Sequence, residues 1–199
     1  MVIKRDIYLN KLIKRQHNGL VKIITGMRRT GKTYLLFRLF HDYLLQNNVE
    51  ESHIIKYAFD DRVNKQLRNP DILLDKIKSQ ITDKKMYYIV LDEIQMVDEF
   101  EEVLNSLLHI RNADIYVSGS NSKFLSKDII TEFRGRGDEI RVYPLSFNEF
   151  SSVFKGSIQD AWNEYYTYGG LPLTLTYDTH EEKYNLTFIV NNTIKLISS

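Results

Sequence analysis

The sequence contains no cysteine, three prolines and one tryptophan. Without cysteine, the chain can form no disulfide, thiol nucleophile or thiolate metal site. The longest apolar run, residues 86–91, is far shorter than the roughly 20 residues that a membrane-spanning helix needs. The first residues are basic and lack the apolar core of a secretory signal. These absences predict a cytoplasmic protein with no membrane partner.

At 199 residues, the chain suits one domain, or one domain with a small appendage. Its histidines show no metal-ligand spacing, so zinc is not expected, and no serine has the context of a nucleophile elbow. The histidines are His17, His41, His53, His109 and His180. Zinc-dependent chemistry and serine-nucleophile chemistry are therefore both set aside.

Basic residues are concentrated at the amino terminus. The first 40 residues carry ten Lys/Arg and the single acid Asp6, whereas the remainder carries 17 basic and 25 acidic residues. A basic amino-terminal segment can mark contact with nucleic acid, although the segment lacks the interleaved aromatics that single-strand binding favours. Nucleic acid is one candidate partner, and the alternative is a solvated helix face. The residues concerned are Lys4, Arg5, Lys11, Lys14 and Arg15.

The strongest motif is G-x-x-x-x-G-K-T at residues 26–33, between a predicted buried strand at 20–24 and a predicted helix at 32–48. Backbone N–H groups and the helix dipole of such a unit bind phosphate. Lys32 is expected to reach the β- and γ-phosphates, and Thr33 to bind Mg²⁺. The alternative is a glycine turn that closes a β-α unit, with Lys32 solvated. The predicted nucleotide-binding residues here are Gly26, Met27, Arg28, Arg29, Thr30, Gly31, Lys32, Thr33 and Tyr34.

Short apolar runs alternate with longer helical patterns, which predicts an α/β fold with a parallel sheet flanked by helices. Further strands are predicted at 53–59, 86–91, 114–118 and 139–143. Asn69 and Pro70 are expected to begin a helix that ends near residue 81. Asp98 is expected to cap a helix through residue 110, and Ser126 a short helix ending near residue 134.

The alternation stops near residue 144, so we expect a P-loop core over residues 1–145 and a small helical subdomain over 146–178. Ser146 and Glu149 form a capping box, Ser157 and Asp160 make a weaker helix start, and Gly169-Gly170 ends the second helix. Aromatic residues are frequent here, and we interpret them as packing groups rather than as a ligand site.

Residues 89–93 form an apolar strand that ends in two acids, Asp92 and Glu93. At the tip of the strand, Asp92 is expected to hold the hydration shell of Mg²⁺. Glu93 is expected to deprotonate a water that attacks the γ-phosphate. The alternative is a pair of acids that merely opens a loop. A carboxylate beside the metal ligand favours hydrolysis over phosphate transfer to an acceptor.

Two polar segments follow. Residues 118–122 end a predicted strand, and Ser120 or Asn121 is placed to touch the γ-phosphate or the attacking water; the alternative is an ordinary turn. Arg134 and Arg136 lie in a glycine-rich loop, where an exposed guanidinium suits the charge of a transferring phosphoryl group. Surface arginine is the simpler interpretation.

Several ordered motifs make the chain resemble prokaryotic AAA-type P-loop ATPases whose full-length members carry a carboxy-terminal nuclease-like domain. The resemblance covers roughly residues 1–178. The motifs lie at residues 25–33, 91–95, 118–122, 135–136, 143–150 and 168–172.

The resemblance implies the AAA+ sheet of the additional-strand catalytic-glutamate class, in which another strand separates the Asp92 strand from the phosphate-loop strand. It implies a sensor 1 role for Ser120 or Asn121, and an arginine finger at Arg136 that acts on a neighbouring subunit of a homo-oligomer. It also implies that Pro172 lies near the adenine.

Two departures from the family pattern stand out. No arginine follows Arg141, so the sensor 2 arginine has no candidate, and residues 179–199 resemble the truncated start of a following element. The leading hypothesis is an Mg²⁺-dependent ATPase, and ATP rather than GTP rests on the resemblance. The rivals are a nucleotide-gated interaction module with little turnover and a small-molecule phosphotransferase.

Overall fold

The computed structural model describes residues 2–120 and 135–186. The chain divides into two compact units. One unit comprises Asp6–Gly26 and Lys32–Arg141, and the other comprises Met1–Arg5, Met27–Gly31 and Val142–Ser199. The domain boundaries predicted at residues 145 and 178 stay a prediction.

The first unit is built on a five-stranded sheet in the order β2-β3-β4-β1-β5, and every neighbouring pair is parallel. The strands are β1 (Val21–Thr25), β2 (Ile54–Ala58), β3 (Tyr87–Asp92), β4 (Ala113–Ser118) and β5 (Gly137–Arg141). The α/β class is therefore confirmed. Strand β4 separates β3 from β1, which is the order that the family resemblance implies.

The described residues of this unit also form four helices: α1 (Asp6–Lys14), α2 (residues 32–46), α3 (Pro70–Gln80) and α4 (Phe100–Leu108). Helix α2 is continuous from residue 32 to 46, but its hydrogen-bonding pattern changes along its length. It is α-helical at Lys32–Tyr34, π-helical at Leu35–Phe40 and α-helical again at His41–Gln46. The sequence pattern gave no indication of this π segment. Short 3₁₀ turns occupy Glu51–His53, Arg62–Arg68 and Ile94–Met96.

The predicted start of α3 is confirmed, because Asn69 accepts a hydrogen bond from the Ile72 N–H and Pro70 is the first helical residue. The predicted start of α4 is wrong. Its N-cap is Glu99, which has a left-handed backbone (φ 50°) and makes no side-chain capping bond. The Asp98 N–H is instead bonded to the Arg68 carbonyl at 3.0 Å. The helix therefore begins two residues after Asp98, and it ends at Leu108.

Strand β5 begins two residues before its predicted position. Its limits follow from pairing with β1, since Val21 lies opposite Gly137 and Thr25 opposite Arg141. The polar residues Asp138 and Glu139 belong to this strand although they break its apolar pattern. The helix predicted from Ser126 lies outside the described residues.

Apolar side chains from one face of the sheet and from α3 and α4 form the main core of this unit. All six residues of β3 are buried, as expected for a central strand covered on both faces. The buried side of α4 consists of Phe100, Val103, Leu104 and Leu107. Among the described residues, no helix has the length and apolar character needed to cross a bilayer.

A buried ion pair joins β1 to β4 near the start of the sheet. The Lys22 ammonium is fully buried, contacts the Asp114 carboxylate and donates to the Leu20 carbonyl at 2.8 Å. The Tyr116 hydroxyl donates to Asp114 at 2.7 Å, and its ring lies 4.8 Å from the ammonium. Burial lowers the pKa of Lys22, and the hydrogen bond to Asp114 opposes that shift. Lys22 is thus a structural cation. Its position in the basic amino-terminal segment did not indicate this role.

The second unit contains α5 (Phe147–Ser151), α6 (Ile158–Tyr168), a 3₁₀ turn at Pro172–Leu175 and helical residues 180–186. The predicted capping box of Ser146 and Glu149 is confirmed, and the helix start predicted at Ser157 is confirmed and is a second capping box with Asp160. The aromatic residues pack on one another, with the ring of Phe147 5.1 Å from that of Trp162 and 5.6 Å from that of Tyr165. This packing agrees with the interpretation of the aromatics as structural groups.

Within this unit, the backbones of Leu145 and Gly170 lie in direct contact. The Leu145 N–H donates to the Gly170 carbonyl at 2.7 Å, and a Cβ on Gly170 would lie 2.2 Å from the Leu145 carbonyl oxygen. No side chain can be accommodated at that distance, so glycine is required at position 170 for steric reasons.

We expect Asp114→Asn to lower the free energy of unfolding by about 3–5 kcal/mol, because it leaves the buried Lys22 charge without its counter-ion. Urea denaturation measures the change. The matched control is Asp138→Asn, which removes the half-exposed partner of Arg15 and should cost less than about 1 kcal/mol. Adding Lys22→Met to Asp114→Asn should restore part of the loss. Equal losses of unfolding free energy in Asp114→Asn and Asp138→Asn would contradict a structural role for the buried pair.

Candidate functional site

The loop of residues 26–33 joins β1 to α2 and adopts backbone conformations that a phosphate loop requires. Gly26 and Gly31 have positive φ angles of 144° and 92°, and Arg29 has a φ of 67°. The Thr30 hydroxyl donates to the Met27 carbonyl at 2.9 Å, which closes the loop internally. Glycine makes positive φ available without strain, so the two glycines of the motif suit the backbone conformation at their positions.

Lys32 and Thr33 begin α2, and Lys32 is largely buried. The Lys32 ammonium donates to the Gly26 carbonyl at 3.0 Å, so it points back toward the start of its own loop. Arg28 and Arg29 are exposed. Tyr34 is half-buried, and its hydroxyl is buried without a hydrogen-bond partner among the described residues.

Thr33, Asp92 and Ser118 meet at the carboxyl edge of the sheet. The Thr33 hydroxyl donates to Asp92 Oδ2 at 2.6 Å, and the Ser118 hydroxyl donates to Asp92 Oδ1. The two carboxylate oxygens of Asp92 are thus held by hydroxyls from two different elements, α2 and β4. The predicted metal residues Thr33 and Asp92 are brought together, and Ser118 is an additional member that sequence reasoning placed in a polar patch without a role.

The charge of Asp92 is held in a buried environment, since the residue is 1% exposed. Burial raises the pKa of Asp92, the hydroxyls of Ser118 and Thr33 oppose that shift, and the nearby carboxylates of Glu93 and Asp60 add to it. A cation bound beside Asp92 would offset this unfavourable charge.

Glu93 follows directly in a left-handed backbone conformation, with a φ of 54°. Its N–H donates to the Ser118 hydroxyl at 3.3 Å. Its carboxylate oxygen Oε2 accepts hydrogen bonds from the Ser120 hydroxyl at 2.8 Å and from the Gln95 amide. A non-glycine residue in this conformation costs about 1–3 kcal/mol and is typical of functional sites. The strained backbone and the two donors together fix the direction of the Glu93 side chain.

The structure therefore brings Ser120 to Glu93, while Asn121 lies outside the described residues. Gln95 was part of the family motif, yet no role was predicted for it. The signal that could have identified it is its position two residues after Glu93, within reach of the same carboxylate.

The donor set of this site fits magnesium. A hydroxyl and a carboxylate are hard oxygen ligands, and Mg²⁺ in nucleotide sites takes one or two such protein ligands together with phosphates and waters. Among residues 2–120 and 135–186, no cluster of three or more His, Cys, Asp or Glu side chains could form an all-protein metal cage. Thr33 and Asp92 are the residues that would hold the ion.

Pro172 belongs to the unit that contains residues 27–31. Its ring carbon Cγ lies 3.9 Å from the position that a Cβ on Gly31 would occupy, and it begins the 3₁₀ turn of residues 172–175. The predicted nucleotide-binding residue Pro172 is therefore next to the second glycine of the phosphate-binding motif.

Residues 18–151 match the model of a protein family described as an AAA domain. The chain belongs to this AAA domain family. A protein of Haemophilus influenzae is 32% identical in an alignment that covers 89% of this chain and 46% of that protein. A protein of Methanocaldococcus jannaschii is 33% identical in an alignment that covers 92% of this chain and 41% of that protein. Both relatives are described as uncharacterized, and this chain spans less than half of each.

Among solved structures, the Walker-type ATPase PABY2304 of Pyrococcus abyssi superimposes with a TM-score of 0.63 over 98% of this chain and 74% of its own. The sequences are 15% identical, so the likeness concerns the fold. Together with the family match, it confirms an AAA-type P-loop ATPase fold. The nuclease-like second domain that the resemblance implied stays a prediction.

In this AAA domain, Arg136 lies at the edge of the sheet opposite to Asp92. Its carbonyl accepts a hydrogen bond from the Val21 N–H at 2.8 Å, at the amino ends of β1 and β5. Its exposed side chain donates to the Asn105 amide oxygen at 2.8 Å. Five residues of β5 span about 16 Å at the usual rise of a strand. Arg136 therefore lies far from the Asp92 of its own chain, whereas Arg134 is outside the described residues.

The basic amino-terminal segment is not one continuous solvated helix face, so that interpretation is wrong for Arg5. Arg5 is 3% exposed, and Arg15 forms an ion pair with Asp138 at 2.7 Å. Lys4, Lys11 and Lys14 are exposed. Since part of the positive charge is used within the fold, nucleic acid as a partner stays a prediction.

Proposed function

We propose that this AAA domain binds ATP with magnesium and hydrolyses it by in-line attack of water. The observation that carries the proposal is the contact of the Thr33 hydroxyl with the Asp92 carboxylate at 2.6 Å, with Glu93 as the next residue of the chain. That arrangement combines two residues suited to hold magnesium with a carboxylate base, next to the start of the helix that follows the phosphate loop. A magnesium ion bound there would neutralise developing charge on the β- and γ-phosphates.

In the proposed mechanism, the N–H groups of the loop and the Lys32 ammonium bind the phosphate oxygens. Glu93 accepts a proton from water while the water oxygen forms a bond to the γ-phosphorus. The bond between that phosphorus and the bridging oxygen breaks, and ADP leaves with the electron pair. No covalent intermediate on the protein is required. Pro172, beside Gly31, supports the proposed contact with the adenine end of the nucleotide.

We expect Glu93→Gln to keep ATP affinity and to lower turnover by about 10²–10⁴-fold, because the amide cannot accept the proton. Lys32→Ala should lose nucleotide binding, because it removes the cation that contacts the phosphates. Calorimetric titration with a nonhydrolysable ATP analogue and steady-state phosphate release measure the two effects. Undiminished turnover in Glu93→Gln would remove Glu93 from the mechanism, and absence of ATP binding by the parent protein would overturn the proposed function.

A second candidate function is a nucleotide-gated interaction module with little turnover. The observation that favours it is the double hydrogen bonding of Glu93 Oε2, which accepts from both Ser120 and Gln95. A carboxylate oxygen offers about two acceptor sites, and these two donors occupy both of them on Oε2. In this arrangement, Glu93 would be restrained until a conformational change releases it.

Ser120→Ala and Gln95→Ala distinguish the two candidates. If the donors restrain Glu93, each substitution should raise phosphate release while ATP affinity stays unchanged. If they position Glu93 for proton transfer, as the sensor 1 prediction for Ser120 implies, each should lower phosphate release. The double variant with Glu93→Gln is the control, because neither donor should then affect turnover.

Arg136 is proposed as an arginine finger that acts on the ATP of a neighbouring copy, because its position at the amino edge of the sheet places it far from its own Asp92. A homo-oligomer is part of the same proposal. Turnover per subunit should then rise with protein concentration, and Arg136→Ala should lower it, by up to about 10³–10⁵-fold if the finger resembles the strongest known cases.

Mixing two inactive variants tests this proposal directly. Glu93→Gln subunits still carry Arg136, and Arg136→Ala subunits still carry Glu93, so the mixture should recover part of the turnover that each lacks alone. Arg111→Ala is the matched control, since Arg111 is also an exposed arginine at the amino edge, just before β4. Failure of the mixture to recover activity would contradict action between subunits.

A further inference from the structure

Arg5 is a buried guanidinium that the proposed mechanism does not use. It is 3% exposed, and its contacts with Thr30, Tyr143 and Glu149 lie within the unit formed by residues 1–5, 27–31 and 142–199. Its Nη1 donates to the Thr30 carbonyl at 3.0 Å, and its Nη2 donates to the Tyr143 carbonyl at 2.6 Å. Its Nε lies 3.0 Å from Glu149 Oε1. One planar side chain thus links the amino-terminal segment, the phosphate loop and the segment that leads into α5.

The bond to Thr30 acts on the backbone of the loop itself. A trans peptide is planar, and its C=O and N–H groups point in opposite directions. Holding the Thr30 carbonyl toward Arg5 therefore directs the Gly31 N–H away from Arg5. In a phosphate loop, outward-facing carbonyls and inward-facing N–H groups are what allow the backbone to bind an anion. Gly31 has a φ of 92°, so its own torsions leave it free to adopt other orientations unless a neighbour fixes them.

Glu149 keeps Arg5 in this geometry. Its Oε1 pairs with Arg5, while its Oε2 accepts from the Ser146 N–H at 2.8 Å and from the Ser146 hydroxyl at 3.0 Å. The capping box of α5 therefore fixes the carboxylate, and the carboxylate orients the guanidinium. Since the guanidinium is a rigid fork, its remaining donors are directed at the Thr30 and Tyr143 carbonyls.

We propose that Arg5 is a positioning residue for phosphate binding, which holds the peptide between Thr30 and Gly31 in the orientation that binds the triphosphate. The inference rests on the proposed function, because it concerns the same nucleotide site. Arg5 acts through the loop backbone and touches no substrate. The proposed effect of Arg5 on phosphate binding therefore does not depend on the adenine base.

Calorimetric titration tests this with two probes in the presence of Mg²⁺: a nonhydrolysable ATP analogue, and tripolyphosphate, which has neither base nor ribose. Arg5→Met should weaken both probes by a similar factor, about tenfold or more, which corresponds to about 1.4 kcal/mol. Arg5→Lys should fall between Arg5→Met and the parent, because lysine keeps the charge but cannot reproduce the fork. Arg15→Met removes another paired arginine and should leave both affinities within twofold.

A merely structural role would lower the melting temperature while leaving the affinity of the folded protein unchanged, so titrations are made well below each variant's melting temperature. If Arg5→Met does not fold, Glu149→Gln removes the carboxylate charge that orients Arg5 and should weaken both probes less severely. Unchanged tripolyphosphate affinity in the folded variants, loss confined to the ATP analogue, or full affinity in Arg5→Lys would each overturn the positioning role. Failure of the parent protein to bind either probe would instead overturn the proposed function.

Discussion

The parallel register of β3, β4 and β1 is the constraint on which the candidate site depends. Leu91 lies opposite Val117, and Ile24 lies opposite Ser118, so the carboxyl ends of the three strands reach the same edge. A slip of one residue in β3 would turn Asp92 to the other face of the sheet. Burial of β3 and β1 along their whole length opposes such a slip, because every misplaced side chain would lose its packing. The apolar core thus fixes the position of a charged group that contributes nothing to it.

The buried charges at the amino ends and at the carboxyl ends of the strands are compensated in different ways. At the amino edge, Lys22 and Asp114 neutralise each other, and Tyr116 supplies a further hydrogen bond, so the pair forms a complete structural unit. At the carboxyl edge, the donors to Asp92 are the neutral hydroxyls of Thr33 and Ser118. Hydroxyls orient a carboxylate without cancelling its charge. The pKa of Asp92 is therefore raised, because burial disfavours its charged form. A cation delivered with a phosphate ligand would complete this second site.

Local patterns predicted the features that local physics decides. The start of α3 at Asn69 and the helix starts at Ser146 and Ser157 depend on residues within four positions of one another. The approach of Thr33 to Asp92 was also predictable, because both motifs lie at the carboxyl ends of strands of one parallel sheet. Burial of Arg5 was not predictable, since Thr30, Tyr143 and Glu149 are distant in sequence. Similarly, Asp98 is a residue type that often caps helices, but its N–H is bonded to the Arg68 carbonyl, and α4 begins two residues later.

Arg5 and Arg136 show why residue type alone did not assign the arginines. Removing a guanidinium from water is costly unless anions and carbonyls replace its hydration. Arg5 is surrounded by such groups, with Glu149 as the counter-ion, so its charge is already compensated and its geometry is fixed. Arg136 remains exposed and donates to the neutral amide of Asn105, which leaves its charge available to an anion. Because its own Asp92 lies at the other edge of the sheet, that anion is expected from a second copy of the chain. In the proposed reaction, Arg5 would therefore act on the phosphate loop of its own chain, and Arg136 would act on the site of another copy.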